Sequence, residues 1–328
     1  ALVRLLGYWA NNTLDFSAVS LIGGNFVIDG AGGNDTIKGS SLADTIRGGQ
    51  GDDRLDGGQG GDTYWVSGAD PNWVSGVPYT FEGYDTYADS GSSGVDQIVA
   101  VGAGPVDIGF TDFSAASGIE QIVNATSNGA GGNALVRLLG YWANNTLDFS
   151  AVSLIGGNFV IDGAGGNDTI KGSSLADTIR GGQGDDRLDG GQGGDTYWVS
   201  GADPNWVSGV PYTFEGYDTY ADTGSSGVDQ IVAVGAGPVD IGFTDFSAAS
   251  GIEQIVNATS NGAGGNALVR LLGYWANNTL DFSAVNLIGG NFVIDGAGGN
   301  DTIKGSSLAD TIRGGQGDDR LDGGQGGD

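Results

Sequence analysis

Residues 30–65 read GAGGNDTIK, GSSLADTIR, GGQGDDRLD and GGQGGDTYW, four nine-residue units in unbroken register. Each carries Asp at its sixth position (Asp35, Asp44, Asp53, Asp62) and a large apolar residue at its eighth (Ile37, Ile46, Leu55, Tyr64). A repeat this short permits few folds. Gly-rich hexads admit positive φ, turn tightly and leave their carbonyls unscreened by any Cβ. The three residues that follow, such as Thr36-Ile37-Lys38, suit a short strand whose middle side chain faces away from its neighbours. Two units then make one coil of turn, strand, turn, strand, about eighteen residues long. Stacking such coils sets Asp35 beside Asp53 and Asp44 beside Asp62.

Paired carboxylates ringed by backbone carbonyls form an oxygen-only site of the kind hard Ca2+ takes, with six to eight ligands at roughly 2.3–2.6 Å. Mg2+ fits less well, because it demands a near-ideal octahedron and keeps its waters. Isolated Gly-Asp turns are common without any metal; four in one register are not. The second unit departs from the pattern, with Ser40, Ser41 and Leu42 in place of G-x-G. The run resembles the Ca2+-binding nonapeptide of the repeats-in-toxin (RTX) family, G-G-x-G-x-D-x-U-x. That resemblance implies an all-β, right-handed parallel β-solenoid, a β-roll flanked by β-helix spacer coils.

The whole chain is a tandem array. Ala1-Leu-Val-Arg-Leu-Leu-Gly-Tyr-Trp returns at Ala134 and Ala267, a period of 133 residues. The first two copies differ only at Ser90 against Thr223, and the third departs within its span only at Asn286. The expected modules are 1–133, 134–266 and a shorter 267–328, with metal blocks at 30–65, 163–198 and 296–328. Such arrays lean on their neighbours for stability.

Several Ca2+ ions per module are expected. The carboxylate ligands are Asp35, Asp44, Asp53 and Asp62, then Asp168, Asp177, Asp186 and Asp195, then Asp301, Asp310, Asp319 and Asp328. The expected carbonyl donors in the first block are Gly30, Gly32, Gly39, Gly48, Gln50, Gly57 and Gln59. In the second they are Gly163, Gly165, Gly172, Gly181, Gln183, Gly190 and Gln192, and in the third Gly296, Gly298, Gly305, Gly314 and Gln316.

Upstream of each block, Leu2 to Trp9 reads as a strand, with Gly7 and the β-favouring Tyr8-Trp9 arguing against a short helix. Leu14-Asp15-Phe16 and Phe26-Val27-Ile28 are further short strands. Counting back in nines from Gly30 places Ile28 and Val19 at the apolar eighth position, so the same pitch is expected to continue there without metal. At eighteen residues per coil, one module makes roughly seven coils. Downstream, Trp65, Trp73, Tyr79, Phe81, Tyr84 and Tyr87 form an aromatic stretch. It either packs over the roll or presents a face to a sugar or partner. Gln97–Val101, Val106–Ile108 and Ile119–Val123 read as spacer strands, and pieces such as GVDQIVA and GIEQIVNA resemble the spacer coils of large secreted RTX proteins.

Charge and composition bound the partners. The 328 residues hold 40 acids against 12 bases, a net charge of −28, with no His, Cys or Met. A basic nucleic-acid footprint is missing. Without His or Cys there is no Ser-His-Asp triad, no Cys-His pair and no zinc motif. No G-x-S-x-G elbow is present, and Glu82 and Glu120 read as solvated or structural rather than as a glycosidase pair. The chain is therefore expected not to be an enzyme. No Thr row suited to ice binding lines the turns. No apolar run reaches the ~18 residues of a membrane helix.

The resemblance implies a structural module of a secreted or cell-surface bacterial protein, of the adhesin, surface-layer or filament type exported by type I secretion. It would fold on meeting Ca2+ outside the cell and act as a stiff spacer or self-assembling fibre. A ligand-binding adhesin using residues 73–87 is the alternative. Open coil ends invite end-to-end contact with neighbouring repeats or other copies.

Overall fold

The computed structural model describes residues 2–23, 25–67, 81–200 and 214–328. The chain divides into two compact units, the first comprising Ala1–Tyr141 and Asn145–Asp162, the second Trp142–Asn144 and Gly163–Asp328. Both are all-β, and their strands pair in parallel.

In the first unit the strands up to the end of the metal block are β1 (Leu2–Leu6), β2 (Thr13–Asp15), β3 (Asn25–Gly32), β4 (Thr36–Lys38), β5 (Thr45–Gln50), β6 (Arg54–Asp56) and β7 (Thr63–Ser67). The spacer adds β8 (Phe81–Tyr87), β9 (Gln97–Ala103), β10 (Val106–Phe110) and β11 (Gln121–Ser127). The next repeat contributes β12 (Val136–Gly140), β13 (Thr146–Asp148), β14 (Ser153–Ile155) and β15 (Phe159–Asp162). One sheet runs β1-β3-β5-β7-β9-β11-β14; a second face runs β2-β4-β6-β8-β10-β12-β15. Up to β10 each strand thus pairs with the next but one in the chain, and β11 and β12 each with the third strand on, where β13 adds a further face; this is how a solenoid stacks successive coils.

Inside the block the pitch is the expected one. Ile28 pairs with Ile46, Ile37 with Leu55 and Ile46 with Tyr64. These five side chains are buried and form the core of the roll. Their burial is the favourable term that acts in these coils alongside any metal, about 1.5–3 kcal/mol for each large apolar side chain.

The eighteen-residue pitch does not extend upstream. Leu5 pairs with Ile28 and Leu14 with Ile37, each 23 residues along. Ile28 occupies its expected place, but Val19 lies outside any strand, exposed, with its N–H on the Phe16 carbonyl in a tight turn. Five added residues loop out between strands there, yet Val152 and Val285, which make the same turn in the later repeats, are buried, because the strand that follows each of them pairs with a spacer strand. Downstream coils are longer still: Thr63 pairs with Gln97, Gln97 with Gln121, and Val106 with Val136. The expected seven even coils per module therefore give way to fewer, unequal ones.

The longer coils have a physical reason. Phe110, Phe113 and Phe149 are fully buried together, with ring centroids 4.8 Å apart for Phe110–Phe113 and 5.0 Å for the stacked Phe113–Phe149 pair. Three phenyl rings need a wider interior than the Ile and Leu of the roll. The coil meets this with a third face, where Phe113 bridges to Leu147 of β13. One consequence is that β12, the repeat of β1, joins the second face although β1 belongs to the first.

The second unit repeats these rules. Its sheets run through Thr178–Arg180, Thr196–Ser200, Gln230–Val234, Gln254–Asn257 and Asn286–Ile288, and through Thr169–Lys171, Arg187–Asp189, Phe214–Tyr220, Val239–Phe243, Val269–Gly273 and Phe292–Asp295. Ile170 pairs with Leu188, again one coil of the roll.

Of the aromatic stretch, Trp73 and Tyr79 lie outside the described residues. Among the described ones, Tyr87 is buried edge-on to Tyr64 at 5.5 Å, and Tyr84 packs between Phe81 at 4.9 Å and Tyr141 at 4.8 Å. Trp65 is exposed. Glu82 is buried and ion-paired with Arg47, and also accepts from the Ser67 hydroxyl. A buried carboxylate paired this way is structural, as expected for that residue.

Candidate metal centre

The turns place the repeat aspartates in two columns. In the first, the Asn12 N–H donates to Asp35 Oδ1 (2.6 Å), the Asp35 N–H to Asp53 Oδ1 (2.7 Å) and the Asp53 N–H to Asp85 Oδ1 (3.0 Å). In the second, the Asp44 N–H donates to Asp62 Oδ1 (2.7 Å), the Asp62 N–H to Asp96 Oδ1 (2.6 Å) and the Asp96 N–H to Glu120 Oε2 (2.8 Å). The structure thus brings together the pairs expected from spacing, Asp35 with Asp53 and Asp44 with Asp62. Asp168 and Asp186, Asp177 and Asp195, Asp301 and Asp319, and Asp310 and Asp328 stack identically.

This ladder consumes one carboxylate oxygen and leaves the other. Oδ2 of Asp35, Asp53, Asp62, Asp168, Asp186, Asp195 and Asp301 is buried without any hydrogen-bond partner. An unsatisfied buried acceptor costs about 1–3 kcal/mol, and more when charged. The orphans fall at the same three positions of successive blocks, Asp35/Asp168/Asp301, Asp53/Asp186 and Asp62/Asp195.

The position-one glycines show what surrounds them. A Cβ built on Gly30 would overlap both Asp35 Oδ2 and the Gly48 carbonyl oxygen; on Gly163, both Asp168 Oδ2 and the Gly181 carbonyl; on Gly296, both Asp301 Oδ2 and the Gly314 carbonyl. Each glycine therefore keeps open a small space where a carboxylate and a carbonyl from the next coil converge. Oxygen donors of mixed charge around a space without nitrogen or sulfur suit Ca2+. The carbonyl of Gln50 instead accepts from the Gly33 N–H at 2.7 Å, as Gln183 and Gln316 do from Gly166 and Gly299. A carbonyl has two lone pairs, so that bond leaves one free.

The second unit closes on itself. Asp44 Oδ2 accepts from the Ser40 N–H at 2.6 Å, Asp177 Oδ2 from Ser173 at 2.6 Å and Asp310 Oδ2 from Ser306 at 2.7 Å. The backbone N–H of the serine thus supplies the partner that the other aspartates lack, joined by the hydroxyls of Ser173 and Ser306 in the later repeats, and these three are the weaker candidate ligands. Asp310 and Asp319 are half-buried and Asp328 is exposed at the end of the third block.

A scan against protein-family models matches the RTX calcium-binding nonapeptide repeat, in four copies, over residues 29–64, 162–197 and 295–328. The blocks are RTX repeats. They bind Ca2+, and the buried aspartates fit that ion. No curated protein matches the chain. No helix among the described residues is long and apolar enough to cross a membrane.

The columns extend beyond the RTX blocks through residues that spacing in nines does not find. Asp85, Asp96 and Glu120 each stand two positions before a buried core residue, Tyr87, Ile98 and Ile122. That acid-x-apolar triplet is the same one the nonapeptides carry at positions six and eight, and it is the signal that could have revealed them. At the other end, Asn12 takes the aspartate's place: a Cβ on Gly7 would overlap the Gly30 carbonyl, and would meet Asn12 Oδ1 at 2.5 Å.

Burial lifts the Asp53 carboxyl to about 7, helped by the neighbouring charges of Asp35, Glu82 and Asp52. Burial likewise lifts Asp62 and Asp195 to about 7 and Asp186 to about 8, again with acidic neighbours adding. A carboxyl with a higher pKa folded than unfolded adds stability at low pH and loses it as pH rises through the folded value. The metal-free chain should therefore hold more β-structure at pH 5.5 than at pH 8.5. With Ca2+ present the order should reverse, because protons then compete for its ligands. Circular dichroism of the chelator-stripped chain across that range, with and without Ca2+, checks both signs.

Proposed function

We propose that this chain is a Ca2+-dependent structural repeat of a secreted or cell-surface protein, without catalytic activity, whose coils assemble when Ca2+ reaches them. The observation that carries the reading is the set of buried, unpartnered Oδ2 atoms. Above about pH 7, where Asp53 and Asp62 ionise, they set uncompensated negative charge inside the turns of a chain that is already strongly acidic and rich in glycine. Ordering glycine loses more backbone entropy than ordering any other residue, and like charges held in adjacent coils oppose stacking. Ca2+ supplies the positive charge that cancels this repulsion, so that binding free energy becomes folding free energy. Low Ca2+ in a cytoplasm keeps such a chain loose for export, and ~10⁻⁴–10⁻³ M outside is the range in which extracellular modules bind.

Successive repeats stack without a break: in the first unit β10 of one repeat covers β12 of the next, leaving Val136 and Leu138 fully buried, which supports a continuous spacer. The test is a Ca2+ titration followed by far-ultraviolet circular dichroism and light scattering, reversed with chelator. A cooperative gain of β-structure that Mg2+ does not produce is expected, with scattering rising alongside if copies stack. Full β-structure in chelator would refute the reading.

A further inference from the structure

At the end of each complete RTX block a third aspartate joins a pair. Asp62, Asp89 and Asp96 each present a carboxylate oxygen within 4.8 Å of the others, and all three residues are buried. Asp195, Asp222 and Asp229 form the same group in the next repeat. Only Asp62 and Asp195 belong to the nonapeptides; the other two of each set come from the spacer. We propose that each set is a separate Ca2+ site, built jointly by block and spacer, which fastens the last coil of the roll to the first coil beyond it.

Each carboxylate is held in place by the fold. Asp62 is fully buried; its Oδ1 accepts from the Asp44 N–H and its Oδ2 has no partner. Asp89 accepts from the Gly91 N–H at 2.8 Å and from the Tyr64 hydroxyl at 2.7 Å, and that hydroxyl accepts from the Gly57 N–H at 2.6 Å. Asp96 Oδ1 accepts from the Asp62 N–H. None of the three carboxylates is ion-paired among the described residues. Burying three carboxylates together without a cation is strongly unfavourable. The Oδ2 atoms of Asp195 and Asp62 are orphaned alike, and Tyr197 donates to Asp222 at 2.8 Å as Tyr64 does to Asp89.

The spacing suits one ion. Oxygens on opposite sides of Ca2+ lie at most about twice the 2.3–2.6 Å bond length apart, so a spread within 4.8 Å fits a single coordination shell. In the turn after the block, Asp89 brings a side-chain carboxylate to a place where the nonapeptide turns offer only backbone. Three carboxylates where a block site has two should make it the tightest site in its repeat, since ligand charge raises Ca2+ affinity.

Two of the three carboxylates in each set lie beyond the nonapeptide match, so substitutions there can test this site while the block ligands stay intact. Equilibrium dialysis of Ca2+ against the full chain is compared with Asp89→Asn combined with Asp222→Asn. The double variant should bind one ion fewer per complete repeat and lose the highest-affinity component. An unchanged ion count and affinity would overturn this site and leave the block sites standing, whereas an unaltered chain that binds no Ca2+ would overturn both. A second pair, Tyr64→Phe with Tyr197→Phe, leaves every carboxylate intact and guards against misfolding of the first. This pair should keep the full ion count but weaken the highest-affinity component, because Asp89 and Asp222 lose the hydroxyls that hold them. Unchanged affinity would also overturn the site.

Discussion

Asp53→Asn should stabilise the metal-free chain and destabilise the Ca2+-loaded one. The substitution keeps an oxygen where Asp53 Oδ1 accepts the Asp35 N–H, so the ladder survives. It removes the charge on an orphaned, buried oxygen whose carboxyl is pushed up to about 7. Without Ca2+ at pH 8 that charge is a net burden on the fold, and its loss is expected to raise the melting temperature. With Ca2+ the same charge is a ligand, and its loss weakens a site whose binding energy is folding energy. The change is expected to be on the order of 3–5 kcal/mol, as for breaking one side of a buried charge pair. Asp15→Ala, on an exposed residue that only caps Ser17, should move neither melting curve appreciably. Thermal unfolding with chelator and with Ca2+ reads both signs, and a shift in the same direction under both conditions would contradict the account.

Gly48→Ala should be as damaging in Ca2+ as the loss of a carboxylate, although it removes no ligand atom. A Cβ at Gly48 would overlap Asp53 Oδ2 and crowd its carboxyl carbon. The same carbon would fill the space beside that buried, unpartnered oxygen. Gly23→Ala serves as the comparison: nothing lies within 4 Å of its Cβ position, but its φ of +89° adds backbone strain, so it reports strain without any crowding of a site. Gly48 has no such strain to relieve, so any loss there is steric. Calorimetric titration should show Gly48→Ala binding fewer Ca2+ ions with a lower melting temperature, while Gly23→Ala keeps the full ion count and loses only stability.

How far the sequence discloses this fold depends on where the chain is regular. Asp35, Asp53 and their neighbours stack as spacing requires, because two nonapeptides make a coil of fixed length and the core residues Ile37 and Leu55 admit only one register. Outside the block that constraint lapses. Residues such as those around Val19 loop out without disturbing the pairing of Leu5 with Ile28, and no periodicity survives to mark them. The third face built around Phe113 and Phe149 is similarly hidden, since it depends on how wide an interior three phenyl rings demand. Asp85 and Asp96 were legible in principle through the acid-x-apolar triplet. Asp89 was not, because its place beside Asp62 follows from spacer turns of no fixed length.

Backbone hydrogen exchange at Asp35 and Asp44 tests the central claim most directly. Their N–H groups donate to the carboxylates of Asp53 and Asp62 in the adjacent coil, so they report coil stacking at the metal-bearing turns themselves. In chelator at neutral pH both should exchange at nearly unprotected rates; added Ca2+ should slow them by orders of magnitude, and equal Mg2+ should not. Strong protection in chelator, unchanged by Ca2+, would show that the coils stack without the ion and would contradict the account.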